Sequence, residues 1–290
     1  MTARRNARAS AWAQGLEAGT ATSVSVQRWV EGRTDVDLDW AAEEVPVSLE
    51  YNGLAHAVML ATPADLEDLA CGFSLTEGIV TGCHEILDIT LTERSEGIVV
   101  AIEILAGRMQ AVKERRRNMS GRTGCGLCGV ESLDHVARSI PAVSAAALAC
   151  GERLATALAA MDRAQPLRAL TGATHAVGWM TADGELALLR EDIGRHNALD
   201  KLVGAMQRDG TDPTRGAALL SSRASYEMVH KAAAAGIGIV IAMSAPTGLA
   251  IRTARALGVT LAGYARSDRH VAYTHAWRLH GSAAVQGAAA

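Results

Sequence analysis

Apolar residues recur along this chain in two rhythms. From about residue 24 to 112 they alternate with polar ones over short runs, the period-two mark of half-buried strands. RWVEG at 28–32, VPVSLEY at 45–51, LAHAVMLAT at 54–62, ILDITLTE at 86–93 and GIVVAIEIL at 97–105 read this way. Asn52-Gly53, between two of them, predicts a hairpin turn. One helix interrupts, in TPADLEDLACGFSLTEGI at 62–79: Thr62 is the expected cap, Pro63 sits in the first turn, and Leu66, Leu69, Ala70 and Phe73 share a face. Residues 24–119 are therefore expected to form a small α+β domain.

The second rhythm is helical and alternates with strands. A helix is predicted near 130–139 and an Ala-rich one near 144–161, followed by the hairpin ATHAVGWM-TADG-ELALLRED at 173–192. In RHNALDKLVGAMQRDG at 195–210, Leu199, Leu202, Val203 and Met206 form an apolar face and Gly210 ends the helix. GAALLSS, SYEMVHKAAAAG, IGIVIAMS, TGLAIRTARALG and VTLAGYAR then read as β-α-β-α-β. That order implies parallel strands with right-handed crossovers, so all three strands end on one edge, where open α/β sheets bind ligands.

The residues at those ends are Ser221, Ser222 and Arg223; Ser244, Ala245 and Pro246; and Arg266, Ser267, Asp268 and Arg269. Helix N-termini beside arginines describe a site for phosphate or pyrophosphate. Taken singly, the serines also read as helix caps and the arginines as surface charge. The expected fold is α/β, with this parallel unit in residues 120–275.

Bulk properties narrow the class. The chain has 290 residues, 49% of them hydrophobic, ample for a globular core, and a formal net charge of −3 that argues against a dedicated nucleic-acid binder. KERRR at 113–117 is either a solvated face or an anion patch. No stretch approaches the roughly 20 apolar residues of a membrane span. Residues 1–23 are Arg- and Ala-rich without an apolar core, so they are expected to be a loose arm rather than a secretory signal, and residues 276–290 a loose tail. Five irregularly spaced cysteines do not form a secreted disulfide framework and fit a reducing cytoplasm.

Two clusters carry candidate chemistry. SGRTGCGLCGVES at 120–132 places Cys125 and Cys128 two residues apart among four glycines, with Arg122 upstream and the expected 130–139 helix downstream. Both the arginine and the helix N-terminus favour thiolate, the form that attacks sulfur or binds metal. Zinc would need a second ligand pair, or His-x-Glu with Pro-Cys-x-x-Cys, and neither occurs. Disulfide exchange and sulfur carriage stay open. Cys71, Cys83 and Cys150 read as buried or inert thiols. REDIGRHNALDK at 190–201 crowds Glu191, Asp192, Arg195, His196, Asn197, Asp200 and Lys201 around one helix start, Asp192 being the expected cap. It either holds the fold or serves a ligand, and His230 reads as structural or exposed.

GRTGCGLCGVES, REDIGRHNALDKLVG, SSRASYEMVHKAAAAGIGIVIAMSAPTGLAI and VTLAGYARSDR, with LACGFSLTEGI upstream, together resemble the formate dehydrogenase accessory sulfurtransferase family, FdhD, over about residues 25–275. The resemblance implies a sulfurtransferase that accepts persulfide sulfur from a cysteine desulfurase. It would pass that sulfur to the molybdenum bis(molybdopterin guanine dinucleotide) cofactor of formate dehydrogenase. By motif match Cys125 bears the persulfide and Cys128 assists. The guanine dinucleotide segment matches Tyr264, Ala265, Arg266, Ser267, Asp268 and Arg269, beside which Ser222, Arg223 and Ser244 are the expected contacts, and a guanine nucleotide is expected to substitute. The resemblance further implies a homodimer and a cytidine-deaminase-like second domain without deaminase zinc ligands. An insertion chaperone that binds cofactor without carrying sulfur, or a thiol-disulfide oxidoreductase, is the alternative.

Overall fold

The computed structural model describes residues 16–110, 112, 113, 140–146, 148 and 151–280. The predicted helix at 130–139, the residues 114–117 of the basic run, and Cys125, Cys128 and Cys150 lie outside the described residues.

The N-terminal half opens with a hairpin, β1 (Ala21–Val30) on β2 (Arg33–Ala42), of which sequence pattern had marked only the turn end. A four-stranded sheet follows in the order β4-β3-β6-β5, from β3 (Val45–Tyr51), β4 (Leu54–Ala61), β5 (Ile86–Arg94) and β6 (Gly97–Ile104). The Asn52-Gly53 turn forms as expected, both residues taking positive φ. Helix α1 (Leu66–Thr76) covers one face, but it starts later than predicted, with Asp65 in a left-handed conformation as its N-cap. Thr62 is not the cap because the other half of the chain engages it: its N–H donates to Asp192 and its carbonyl accepts from Lys201.

The second half is a three-layer α/β unit. Helices α2 (Gly151–Arg163) and α3 (Pro166–Thr171) precede the hairpin of β7 (His175–Thr181) and β8 (Leu186–Asp192). Then come α4 (Arg195–Asp209), β9 (Gly216–Leu220), α5 (Tyr226–Ala234), β10 (Ile239–Ala242), α6 (Gly248–Ala256) and β11 (Thr260–Gly263). The sheet order is β12-β11-β10-β9-β7-β8, with β9, β10 and β11 parallel as the alternation predicted. Strand β12 (Val271–Thr274) adds antiparallel to β11, and the short α7 (Trp277–His280) buries Leu279. Structure therefore continues past the point where a loose tail was expected.

The described part of the Ala-rich helix is Gly151–Arg163, and residues 144–146 and 148 are not helical. Upstream, Val143 and Ala146 donate instead to the carbonyls of Leu257 and Thr214, so these tertiary bonds replace the helical ones.

Alternating strand residues feed two cores. Ala218, Leu220, Val240 and Ala242 face α4, α5 and α6; Ala217, Leu219, Ile239 and Ile241 face α2 and α7. The first core runs on without a break into the N-terminal half, joining Leu199, Leu202 and Met228 to Leu49, Leu69 and Phe73. Helices α1 and α4 cross where Gly72 faces the backbone of Asp200 and Gly204 faces that of Asp68, an approach that only a missing Cβ permits. Cys71 and Cys83, expected as separate thiols, form a disulfide beside this crossing.

Candidate functional site

Strand directions gather the chemistry on one edge of the large sheet. Strand β7 runs antiparallel to both β8 and β9, so β8 through β11 point their C-terminal ends the same way, and β7 begins there. His175, the N-termini of α4, α5 and α6, and the turn after β11 consequently share that edge.

The sequence-predicted residues occupy it in different ways. Ser221 accepts the Ala176 N–H through Oγ at 2.8 Å, and Ser222 is buried with its hydroxyl on the Arg223 carbonyl. Arg223 is exposed. The Ser244 carbonyl accepts the Tyr264 N–H at 3.2 Å, tying two strand ends together, while Pro246 bridges to Ala224. Tyr264 takes φ 53° and is 48% exposed. Ala265 is buried, its N–H on the Ala242 carbonyl. Arg266 returns its guanidinium to the carbonyls of Met243 and Ala265, and its N–H meets the Arg269 carbonyl at 2.7 Å, closing a tight turn. Ser267, Asp268 and Arg269 are exposed on that turn.

The dense polar stretch divides into fold and site. Asp192, fully buried, meets Lys201 Nζ at 2.7 Å and accepts from Thr62, Gly194 and Asn197; Asn197 also donates to the Leu60 carbonyl. These bonds fasten β4 to α4. The cap itself is Gly194, since Asp192 lies two residues too early and turns toward Thr62. Glu191 accepts the Leu167 and Arg168 N–H groups at the start of α3. Asp200 meets Lys231 Nζ at 2.8 Å, and Thr76 and Glu77 complete the shell of that ammonium at 3.0 Å each. Burial lowers the affinity of Lys231 for its proton, but Asp200 and Glu77 outweigh it and hold the amine charged, above the ordinary lysine range.

Arg195 and His196 are left facing the edge. The buried Arg195 Nε has no hydrogen-bond partner, and neither does the Oγ of Ser225, the N-cap residue of α5. His196 Nε2 lies 3.2 Å from Glu227 Oε2, out of line for a hydrogen bond. Burial, reinforced by Arg195 and Lys231, pushes the His196 imidazole down to about 3. Burial likewise pushes the Glu227 carboxyl up to about 7, with Glu77 and Asp200 adding to the rise against Lys231 and Arg195. His175 is lowered by burial and then by Arg195 and Arg168. Tyr226 and His230 stack their rings at 5.5 Å beside this group.

Ser225, Glu227 and His175 were not singled out from sequence. The signal that finds them is topological: one helix start and one strand start that connectivity and strand pairing put on a single edge. Among the described residues, no group of three or more His, Cys, Asp or Glu is placed to hold a metal ion, and no helix is long and apolar enough to cross a membrane.

The chain is similar to known proteins over most of its length. A family model described as the FdhD/NarQ family matches residues 42–280. A relative from Cupriavidus necator named sulfur carrier protein FdhD is 50% identical over 269 residues, covering 93% of each chain. One of the same name from Bordetella petrii is 54% identical over 241 residues, 83% of this chain and 87% of the other. A crystal structure from Desulfotalea psychrophila, named for a formate dehydrogenase accessory protein, superposes with a TM-score of 0.71 over 90% of this chain and 99% of that one; at 21% identity it speaks to the fold alone.

Proposed function

This chain belongs to the FdhD/NarQ family, and on that premise we propose that it is a sulfur carrier serving formate dehydrogenase. It takes persulfide sulfur from a cysteine desulfurase onto Cys125 and delivers it to the molybdenum bis(molybdopterin guanine dinucleotide) cofactor, which is its substrate. The observation that carries the sulfur-carrier role is about half identity across nearly the whole chain to relatives bearing that name.

The chemistry balances on two cysteines. The Cys125 thiolate attacks the outer sulfur of the desulfurase persulfide; the old S–S bond breaks, the desulfurase cysteine leaves as thiolate, and Cys125 holds the persulfide. Cys128 then attacks the inner sulfur of that persulfide. A Cys125–Cys128 disulfide forms, the outer sulfur departs and takes up a proton as hydrosulfide, and the two cysteines have supplied its two electrons. A cellular thiol reductant resets the pair.

The sheet edge supports the cofactor end of this reading. A guanine dinucleotide carries phosphates, and the N-termini of α4 and α5 have no side-chain cap to satisfy them, with Arg195 Nε and Ser225 Oγ unbonded alongside. Arg223, Tyr264 and Arg269 offer exposed side chains at neighbouring strand ends. In this scheme the protein works as a cytoplasmic homodimer.

The deciding experiment is intact mass after incubation with a cysteine desulfurase and L-cysteine. One added sulfur, removed by reductant and absent from Cys125→Ala, is the expected result. Cofactor binding with no sulfur ever carried would replace this reading with an insertion chaperone.

A further inference from the structure

We propose that Cys71 and Cys83 form a reversible redox latch, a thiol-disulfide site separate from Cys125 and Cys128, which holds the segment after α1 against that helix. The geometry that brings the two together has its own supports. Helix α1 ends at Thr76 and the chain reverses at Gly78, φ 67°. The N–H groups of Gly78, Ile79 and Val80 return to the carbonyls of Leu75 and Ser74, and Ile79 and Val80 are buried. The Thr81 N–H then donates to Glu85 at 2.8 Å while Arg108 grips the same carboxylate at 2.6 Å. These contacts set the 3-10 turn Cys83–Glu85 beside α1, with the Cα atoms of Cys71 and Cys83 5.8 Å apart, a span that a disulfide bridges without backbone movement.

The two sulfurs differ in access. Cys71 is 1% exposed, whereas Cys83 is half-buried. An incoming thiolate therefore attacks the Cys83 sulfur: a new S–S bond forms there, and Cys71 leaves as thiolate and is protonated. A second thiolate then attacks the mixed disulfide and frees Cys83. In the oxidising direction a small disulfide such as oxidised glutathione first links to Cys83, and Cys71 expels the glutathione thiolate as the latch closes.

The closed loop contains Thr76 and Glu77, two of the residues that hold Lys231. Opening the latch thus loosens a wall of the Lys231–Asp200 network beneath His196 and Glu227. The latch rests on this fold and not on the sulfur-carrier reading.

The test uses the full chain carrying Cys125→Ser, Cys128→Ser and Cys150→Ser, so that only Cys71 and Cys83 remain. After oxidised glutathione, denaturation and alkylation, the expected intact mass shows no alkyl group; after reductant it shows two. The oxidised form is expected to melt roughly 5 °C higher, as a cross-link closing a loop of this length implies. Two alkyl groups after oxidant, or glutathione retained on Cys83, would overturn the latch. Should the triple variant not fold, peptide mapping of the oxidised natural chain decides: a linked pair of Cys71 and Cys83 peptides supports the latch, and their absence rejects it. Sulfur loading is followed in parallel in Cys71→Ala, so that failure of Cys125 to load is separated from failure of the latch.

Discussion

His196 Nε2 sits 3.2 Å from Glu227 Oε2 where α4 and α5 begin, and burial drives the two groups toward opposite protonation from a salt bridge. At neutral pH the ring is uncharged and Glu227 is divided between carboxyl and carboxylate. Positive charge reaches this pair from both Arg195 and Lys231. Burial of the two groups in their neutral forms avoids the larger cost of burying charges, but it leaves the His196 Nε2 without a hydrogen-bond partner.

These shifts act on stability with opposite signs. His196 has a folded pKa below its ordinary 6.5, so its contribution is full above that pH and is lost as pH falls toward 3. Glu227 is raised from 4.5 to about 7, so its contribution is full below 4.5 and is lost as pH rises to 7. Between pH 4.5 and 6.5 the two slopes oppose. Urea unfolding of Glu227→Gln across that window is expected to show stability rising with pH by about 1 kcal/mol per unit relative to the natural chain; His196→Asn should show it falling. The same slope in both variants would contradict the assignment.

Lys201 and Asp192 are both wholly buried, and truncating one strands the other. Lys201→Met is expected to lose about 3–5 kcal/mol in denaturant unfolding. Arg208, 56% exposed on its ion pair with Asp68, provides the contrast: Arg208→Ala should cost no more than about 1 kcal/mol. Similar losses in the two variants would mean that burial is not what gives the Lys201 pair its weight.

The α1–α4 crossing depends on two absent Cβ atoms. In Gly72→Ala the new methyl would overlap the Asp200 carbonyl, and in Gly204→Ala that of Asp68. Each is expected to cost about 3 kcal/mol or more, since backbone rather than a movable side chain must give way. Gly107→Ala, which meets open space, should stay within about 0.5 kcal/mol. Thermal melts of the three variants check the ranking.

Binding of guanosine diphosphate tests the sheet edge without the whole cofactor. Arg195→Ala is expected to weaken it by about tenfold to a hundredfold, the worth of a charge-assisted hydrogen bond at a partly buried site. Titration calorimetry at fixed salt measures it. Unchanged affinity would remove the α4 N-terminus from the proposed nucleotide site.

The β-α-β-α-β order was legible because each strand there is a continuous apolar run and each helix keeps a one-sided stripe, as in IGIVIAMS and SYEMVHKAAAAG. The hairpins at Asn52-Gly53 and around Asp183-Gly184 were legible from turn chemistry. Strand β12 was not: VAYT is four residues long and acquires its pairing only because the turn at Arg266 and Arg269 folds it back on β11. Thr62 looked like a cap by every local rule, yet its N–H and carbonyl go to Asp192 and Lys201, about 130 residues away in sequence.

Sequence by itself determined the alternation of elements, the single edge on which the parallel strands end, and the thiol pair at Cys125 and Cys128. Those features rest on local periodicity, chain connectivity and residue identity, all of which are written in order along the chain. Tertiary structure alone decided which polar residues are spent and which are left over. Asp192, Asn197, Asp200 and Lys201 became a clamp between the two halves, while Arg195, His196, Ser225 and Glu227 were left at the edge. The same structure turned Cys71 and Cys83 from separate thiols into a pair. The physical reason is that a buried polar group must find its partner wherever packing brings one within reach, and that partner carries no fixed spacing in the sequence.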